Sequence, residues 1–585
     1  MPELEYMFRH ALTQEAAYST ILLKQRRAYH RWVGEALETL FPDQLDELAP
    51  QLAIHYSESR QAEKALAYYT LAGDAALRLF ANEEALTNYD QAMKWAEPGS
   101  ASREQLIHLY RRRGRALELL LRHDEALETY QTLEALGDAR NDDSLRLAGI
   151  SAQAIEYWFG HSDNEKARLR SEEALALARQ LGDRYTEARS LWSLLLCFMW
   201  PEPVRALDYG ERGLAIAREL VSNSHLSNEN LELLGLILVD LTLPLAATGQ
   251  IKAAREYAIE AQQLFEQLGN LPMASTAGQR LGIAYKMEGQ FEQSERVTDQ
   301  SMAIDRSLGN AGGVIGGAIG LLDLYLDTGD YAKFFARLDE IIPLVAREGR
   351  LPVAVFELYP LAVYDHLGAI DQVQQMVAPL LQFLENEKGL LSAWFMGYAT
   401  DALIKAGQLQ TAQELLEQIK TDFDTKSFLM PLAPMLPQIR AEMALATGAL
   451  DEALAIVDDF LDGIRQTEVL RHRPEKLLLR GRILQKANRP EEAYAAFKEA
   501  HALATEQNAR PSLWQICFHL AEIEAERGNI DEARKLKEQA RTVIDTIAAN
   551  AGREDLRISF LSLPQVQTIL SDTGGTHVDP IANAT

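Results

Sequence analysis

A turn glycine returns about every forty residues through the later part of this 585-residue chain, and that spacing restricts the fold more than any other feature. Gly249 opens Gly-Gln-Ile-Lys-Ala-Ala, and Gly289 opens Gly-Gln-Phe-Glu-Gln-Ser. The same cue recurs at Gly329, Gly368, Gly407, Gly448 and Gly528: an apolar residue two positions later and a usually small one five later. Asn488 fills the one gap, so the steps are 40, 40, 39, 39, 41, 40 and 40 residues. A fixed period in this range marks a solenoid of repeated helix–turn–helix units. Each unit should touch only its neighbours, so stability should be near-additive, and truncation after residue 448 should leave a soluble helical piece. Hydrophobic residues are 47% of the chain and aromatics 8%, with Leu and Ala dominant, which suits closely packed helix pairs. No alternating Val, Ile and Thr run suggests a strand, so the class is all-α.

Ahead of Gly289 lies Leu281-Gly282-x-x-Tyr285, with Ser294 nine residues past the Tyr and Ser301 seven past that. This resembles the tetratricopeptide pattern and implies a right-handed α-solenoid of about 12 tetratricopeptide-like helix pairs with a ~40-residue period. Earlier repeats are read at Ala65, Tyr69 and Ala72, and at Ala85, Tyr89 and Ala92, whose leading helix is continuous with the preceding one. Further ones follow at Gly114, Ala126 and Tyr130, at Trp158, Ala167 and Ala174, and at Cys197, Ala206 and Gly213. The step from Ala206 to Ala254 is 48, so Ser222–Asn230 reads as an inserted loop. Gly312, Gly316 and Gly320 share one face of a first helix, which should let a neighbouring helix approach closely.

The ends carry a second resemblance. The string Phe8-Arg9-His10-Ala11-Leu12, then Gln14-Glu15-Ala16-Ala17-Tyr18, is followed by Leu22-Leu23, Arg26-Arg27 and His30-Arg31. It is similar to the junction of STAND-type signal-transduction ATPases, where a P-loop module and a winged-helix domain lead into a tetratricopeptide sensor. Such ATPases include those associated with class III adenylate cyclases and maltose-activator-like regulators. The segment Leu556–Val566 resembles the closing segment of the same sensor arms. The resemblance implies residues 1–40 as the end of a winged-helix-like junction, 41–550 as the superhelix, 551–570 as a C-terminal cap and 571–585 as a disordered tail. It also implies a nucleotide-state-sensing place for His10, with Ala11 standing where the family's motif carries Asp.

Chemistry is sparse by comparison. The sequence has no Gly-x-x-x-x-Gly-Lys-Ser/Thr, no His-Glu-x-x-His, no Cys-x-x-Cys and no Gly-x-Ser-x-Gly, so no catalytic, cofactor or metal site is expected. The net charge of −27 disfavours direct nucleic-acid binding. The apolar run Leu233–Ala247 is interrupted by Asp240 and Pro244 and is short for a bilayer span, so no membrane role is expected. Cys197 and Cys517 lie 320 residues apart in apolar helices, read as buried reduced thiols of a cytoplasmic chain.

The expected function is therefore a non-catalytic scaffold that binds a protein or peptide, or a small effector, with an upstream nucleotide-binding module as a further implied partner. A freestanding adaptor is the alternative. Carrying the family's groove-facing positions onto this sequence places Ile319, Asp323, Leu358, Trp394, Asp401, Met435 and Glu442 on the concave surface. Apolar anchors flanked by acids suit a basic or amphipathic partner. Without residues to cradle phosphate and Mg²⁺, the purified chain should neither bind nor hydrolyse ATP, which equilibrium binding and a turnover assay will check.

Overall fold

The computed structural model describes residues 11–79, 81–96, 101–223, 227–348, 353–386, 390–418 and 432–571. The start of the junction string, Phe8-Arg9-His10, and nearly all of the tail lie outside them. No strand occurs among the described residues. The chain divides into two compact units, Met1–Cys197 and Phe198–Thr585, each an array of antiparallel helix pairs of tetratricopeptide-like architecture.

In the first unit, residues 11–40 form two helices, Ala11–Thr20 and Leu23–Leu40. Helix Ala62–Arg78 packs against both Leu45–Glu58 and Asn82–Met93, and so serves two successive pairs, as the short spacing of Tyr69 and Tyr89 implies. The pairs lock by seating a Tyr ring on a Gly of the preceding helix. A Cβ at Gly114 would lie 2.3 Å from the Tyr130 ring, and Gly34–Tyr56 and Gly73–Tyr89 repeat the arrangement. Any larger residue there would push the helices apart, which close-packed interiors do not tolerate.

In the second unit the turn positions behave alike. Gly249, Gly289, Gly329, Gly368, Gly407, Gly448 and Gly528 have φ between 64° and 85°, and Asn488 has 59°. This left-handed backbone is where Gly, then Asn, is favoured, and it ends one helix while turning the chain into the next. Leu556, Phe560, Val566 and Ile569, beyond the last repeat, are buried in the same hydrophobic core as the later repeats.

Three expectations change. At the Ser222–Asn230 insertion, helices cover 222–223 and 228–230: Pro203–Asn223 runs 21 residues and Asn228–Ala247 runs 20, with the Ser227 hydroxyl accepting from the Asn230 amide at 3.2 Å. The second of these is long and apolar enough to cross a membrane by composition, yet 72% of its apolar window is buried inside the protein, as a core helix would be. Close helix approach falls to Gly313 and Gly317, where a Cβ would lie 2.3 Å from the Asp305 carboxyl carbon and 2.5 Å from the Met302 Cγ. Gly320 faces open space instead, because it sits a few residues round the helix from that contact.

The third change concerns additivity. Repeats far apart in sequence touch, because the second unit closes on itself. The Glu468 amide donates to the Gly249 carbonyl at 3.1 Å, and the Lys252 amide donates to the Glu468 carboxylate, 216 residues away. The amides of Leu470 and Arg471 both donate to the Met287 carbonyl at 2.9 and 3.1 Å. Arg510 grips Asp330 through two 2.9 Å bonds, and the Ala332 amide donates to the Asn550 carbonyl. Truncation after residue 448 would remove all of these partners. Arg471 is the most buried of these links, its side chain 10% exposed between Asp323 and Asp327. Removing one member of a buried charge network leaves the others uncompensated, so Arg471→Ala should cost about 3–5 kcal/mol. Hydrogen exchange should then rise at the turns around Gly249 and Gly289 as well as near residue 471.

Candidate functional site: a charged cavity in the second unit

The cavity is built by a simple rule. Residues thirteen, ten, six and three positions before each turn residue fall on one face of the first helix of a pair, following the i, i+3, i+7 spacing of a helix. Before Gly407 that face presents Trp394 and Asp401, joined by Tyr398 and Lys405; before Gly448 it presents Met435, Gln438 and Glu442. The closed second unit turns these faces toward each other around a cavity of about 150 Å³.

Of the concave residues expected from sequence, Asp323, Trp394, Asp401, Met435 and Glu442 line this cavity. Leu358 is 3% exposed within the hydrophobic core, and Ile319 is packed against that core. Trp394 is itself only 3% exposed, wedged edge-on against Tyr359 and Tyr398 with centroids 5.2 and 5.5 Å away. It is part of the wall more than a free anchor. The lining residues not expected are Asp327, His366, Tyr398 and Lys405 among those of the earlier repeats, and several of the later ones. Arg471, His472, Glu475, Lys476 and Arg482 come from the loop and helix before Asn488, and Gln515 from the helix before Gly528. The same offset rule applied to Asn488 and Gly528 picks out eight residues, of which Glu475, Leu478, Arg482 and Gln515 line the cavity and Gln485, Phe518, Glu522 and Ala525 do not. Arg471 and His472 could not be found that way, since they sit on the connecting loop.

Charges in the lining pair at the repeat period. Lys286 bonds Asp323 at 2.7 Å, 37 residues on. Lys405 reaches Asp365 at 2.8 Å, 40 residues back, and Asp401 at 2.8 Å on its own helix. Arg482 bonds Glu442 at 2.6 Å, again 40 residues apart. Arg471 takes both oxygens of Asp327, at 2.7 and 3.2 Å, and one of Asp323 at 2.8 Å. Lys476 donates to the Gln438 side chain. Charged groups of successive repeats thus pair along the inner face, each pair with at least one largely buried member, as buried charges must be paired.

The environment sets protonation. Burial, aided by Lys405, presses His366 down to about 4, and burial with Arg471 does the same to His472. Both are therefore neutral at physiological pH. The His366 Nδ1 lies 3.1 Å from the Tyr331 hydroxyl. Burial resists ionisation of Glu475, but His472 and Lys476 outweigh it and hold the carboxyl at about 2. The Asp365 carboxyl is raised by burial and by the Asp401 charge, with Lys405 opposing. Asp327, His472 and Glu475 bring ligand-type atoms within 4.8 Å of one another. Both Asp327 oxygens are already taken by the Arg471 guanidinium, so a metal ion there would have to break that pair.

A His held neutral in the fold but free to protonate when unfolded makes acid destabilising. Below about 6.5 the unfolded chain takes up protons that the native state refuses until near 4, so stability falls as pH drops through that window. Proton NMR titration of His366 and His472, assigned by His→Gln variants, should show both midpoints near 4, with thermal stability declining in step.

No protein-family model and no curated sequence matches the chain. Solved structures with a similar arrangement include a Rap protein complexed with Competence and Sporulation Factor. It is 13% identical with TM-score 0.45, covering 66% of this chain and 99% of that one. Aspartyl phosphate phosphatase F from Bacillus subtilis is 11% identical with TM-score 0.40, covering 61% and 93%. Yeast Tom70 is 12% identical with TM-score 0.24, covering 87% and 99%. At such identities and scores the likeness is one of helical-repeat architecture and does not extend to function.

Proposed function

We infer that this chain is a non-catalytic binding scaffold whose ligand, a basic or amphipathic polypeptide segment, engages the charged cavity of the second unit. The observation that carries this reading is the convergence of Asp401, Glu442 and Glu475 with Trp394 and Met435 on one cavity, at positions the repeat itself turns inward. Acidic groups beside apolar walls select and steer a cationic partner. We place the chain as the sensor arm of a STAND-type signalling or transcription-regulating ATPase. The N-terminal and C-terminal strings quoted above support this. So do Leu23, Trp32 and Leu40 of the helix Leu23–Leu40, each at least 60% exposed, which is more apolar surface than a free helix face ordinarily shows. Both cysteines are buried with thiols pushed up to about 12 by desolvation, which suits a reducing, cytoplasmic setting. A freestanding adaptor would use the same cavity and differs only in having no nucleotide module as partner.

The reading is tested with fluorescein-labelled basic amphipathic peptides and their acidic counterparts, followed by anisotropy. The basic set should bind and the acidic set should not. Glu475→Lys, at a side chain 37% exposed, should slow association at low salt by about tenfold, the effect shrinking as salt is raised. Equal binding of both sets, or of neither, removes the proposal. Trp394→Ala is a poor probe, since emptying so buried a site costs about 3–5 kcal/mol of stability by itself.

A further inference from the structure

We propose that the cavity of the second unit is a recognition pocket for a compact aliphatic cation, an ammonium or guanidinium group on a short stem, seated between the Trp394 and Tyr398 rings and the carboxylates of Asp401 and Glu475. This deepens the binding reading above and rests on it for the location of the ligand.

Asp401 is 5% exposed, and Lys405 satisfies only its Oδ2; Oδ1 is buried with no hydrogen-bond partner. A charged acceptor stripped of water and left unpaired is costly, and an entering donor relieves that cost. Glu475 is a second acceptor, open to water at 37% side-chain exposure. Its closest cationic or protic neighbours are His472 Nδ1 at 3.7 Å and Lys476 Nζ at 4.0 Å, beyond hydrogen-bond reach. Trp394 and Tyr398 meet at 66° with centroids 5.5 Å apart, an aromatic corner of the kind that attracts a desolvated cation.

The other cations leave little for an anion. Arg471 is spent on Asp323 and Asp327 and Arg482 on Glu442, while Lys476 gives one donor to Gln438 and lies 4.0 Å from Glu475. An incoming carboxylate or phosphate would meet the oxygens of Asp401 and Glu475 instead. Size sets the rest. A volume of about 150 Å³ holds on the order of ten water-sized sites, so the group that enters is a side chain or a small amine and not a folded domain. Lys405 and Glu475, at 44% and 37% side-chain exposure, leave the cavity open to solvent on their side.

The experiment uses the full chain labelled with carbon-13 at methionine methyls, with Met435 assigned through Met435→Leu. Three probes are titrated: n-butylammonium, its uncharged isostere n-butanol, and the blocked peptide acetyl-Ala-Lys-Ala-amide. The Met435 methyl should shift saturably with a cationic probe and not with n-butanol, and Asp401→Asn should weaken that binding by about tenfold or more. Glu475→Gln, on the more exposed carboxylate, should weaken it as well and serves if Asp401→Asn does not fold. Response to the peptide alone assigns the cation to a polypeptide side chain; response to n-butylammonium alone assigns it to a small effector; either supports the site. No saturable shift with either cation, an equal shift with n-butanol, or unchanged affinity in the folded variants overturns it. The two proposals fail separately. If n-butylammonium binds but no basic peptide does, the polypeptide reading falls and the cation site stands. If basic peptides bind Asp401→Asn and Glu475→Gln as tightly as the parent chain, the cation site falls and the polypeptide reading stands.

Discussion

The second unit depends on one guanidinium. Arg471 sits almost wholly out of water, two of its nitrogens on the Asp327 carboxylate and one on Asp323, while Lys286 shares Asp323 from the other side. Neither side of this contact is stable alone, since a lone buried carboxylate or guanidinium costs several kcal/mol. Its loop also donates backbone hydrogen bonds to Met287, so the later repeats are held against the earlier ones. An array of helix pairs with nearest-neighbour contacts only would leave its inner face as an open groove. The Arg471 loop, with Arg510 on Asp330 and Ala332 on Asn550, narrows that groove into a cavity that stays open to solvent on the Lys405 and Glu475 side.

Narrowing changes what the inner face can be. Exposed charges on a groove wall are worth little because water and salt screen them. Inside a cavity the same residues are desolvated and must pair, and the repeat supplies the partners at its own period: Lys405 with Asp365, Arg482 with Glu442. The pairing is nearly complete. The oxygens left over, on Asp401 and Glu475, lie beside the largest aromatic surface of the lining, so the unfilled capacity is concentrated in one place. A site that is rigid and mostly satisfied, with a few unmet acceptors, favours selective binding because little ordering remains to be done when the ligand arrives.

What was legible in the sequence is what repeats. The left-handed turns of the forty-residue series carry Gly, or Asn at 488, because few other residues adopt that backbone without strain, whereas Arg60, Leu121, Asn141, Ser162, His472 and Asn508 take it without that periodic cue. The inward positions came from the tetratricopeptide resemblance, counted back from those turns, and five of the seven concave residues it implies line the cavity. The same count would have reached Glu475, Arg482 and Gln515 had it been carried two repeats further. The glycine-rich run 312–320 shows the limit: its abundance was plain, but which glycines touch a neighbour depends on helix rotation of a few tens of degrees, and contact with Asp305 and Met302 chose Gly313 and Gly317.

Tertiary structure alone decided the closure and its consequences. Nothing local distinguishes Arg471 or Glu468 from other polar loop residues; their partners lie more than 140 and more than 210 residues away and are brought near only by the summed small rotations of the intervening repeats. The burial of Leu358 and Trp394, and the neutrality of His366 and His472, arise from that same convergence. Periodic backbone requirements are written into each repeat separately and can be read one repeat at a time. Long-range electrostatic pairing exists only once every repeat has been placed, because desolvation depends on everything that surrounds a charge and not on its neighbours in the chain.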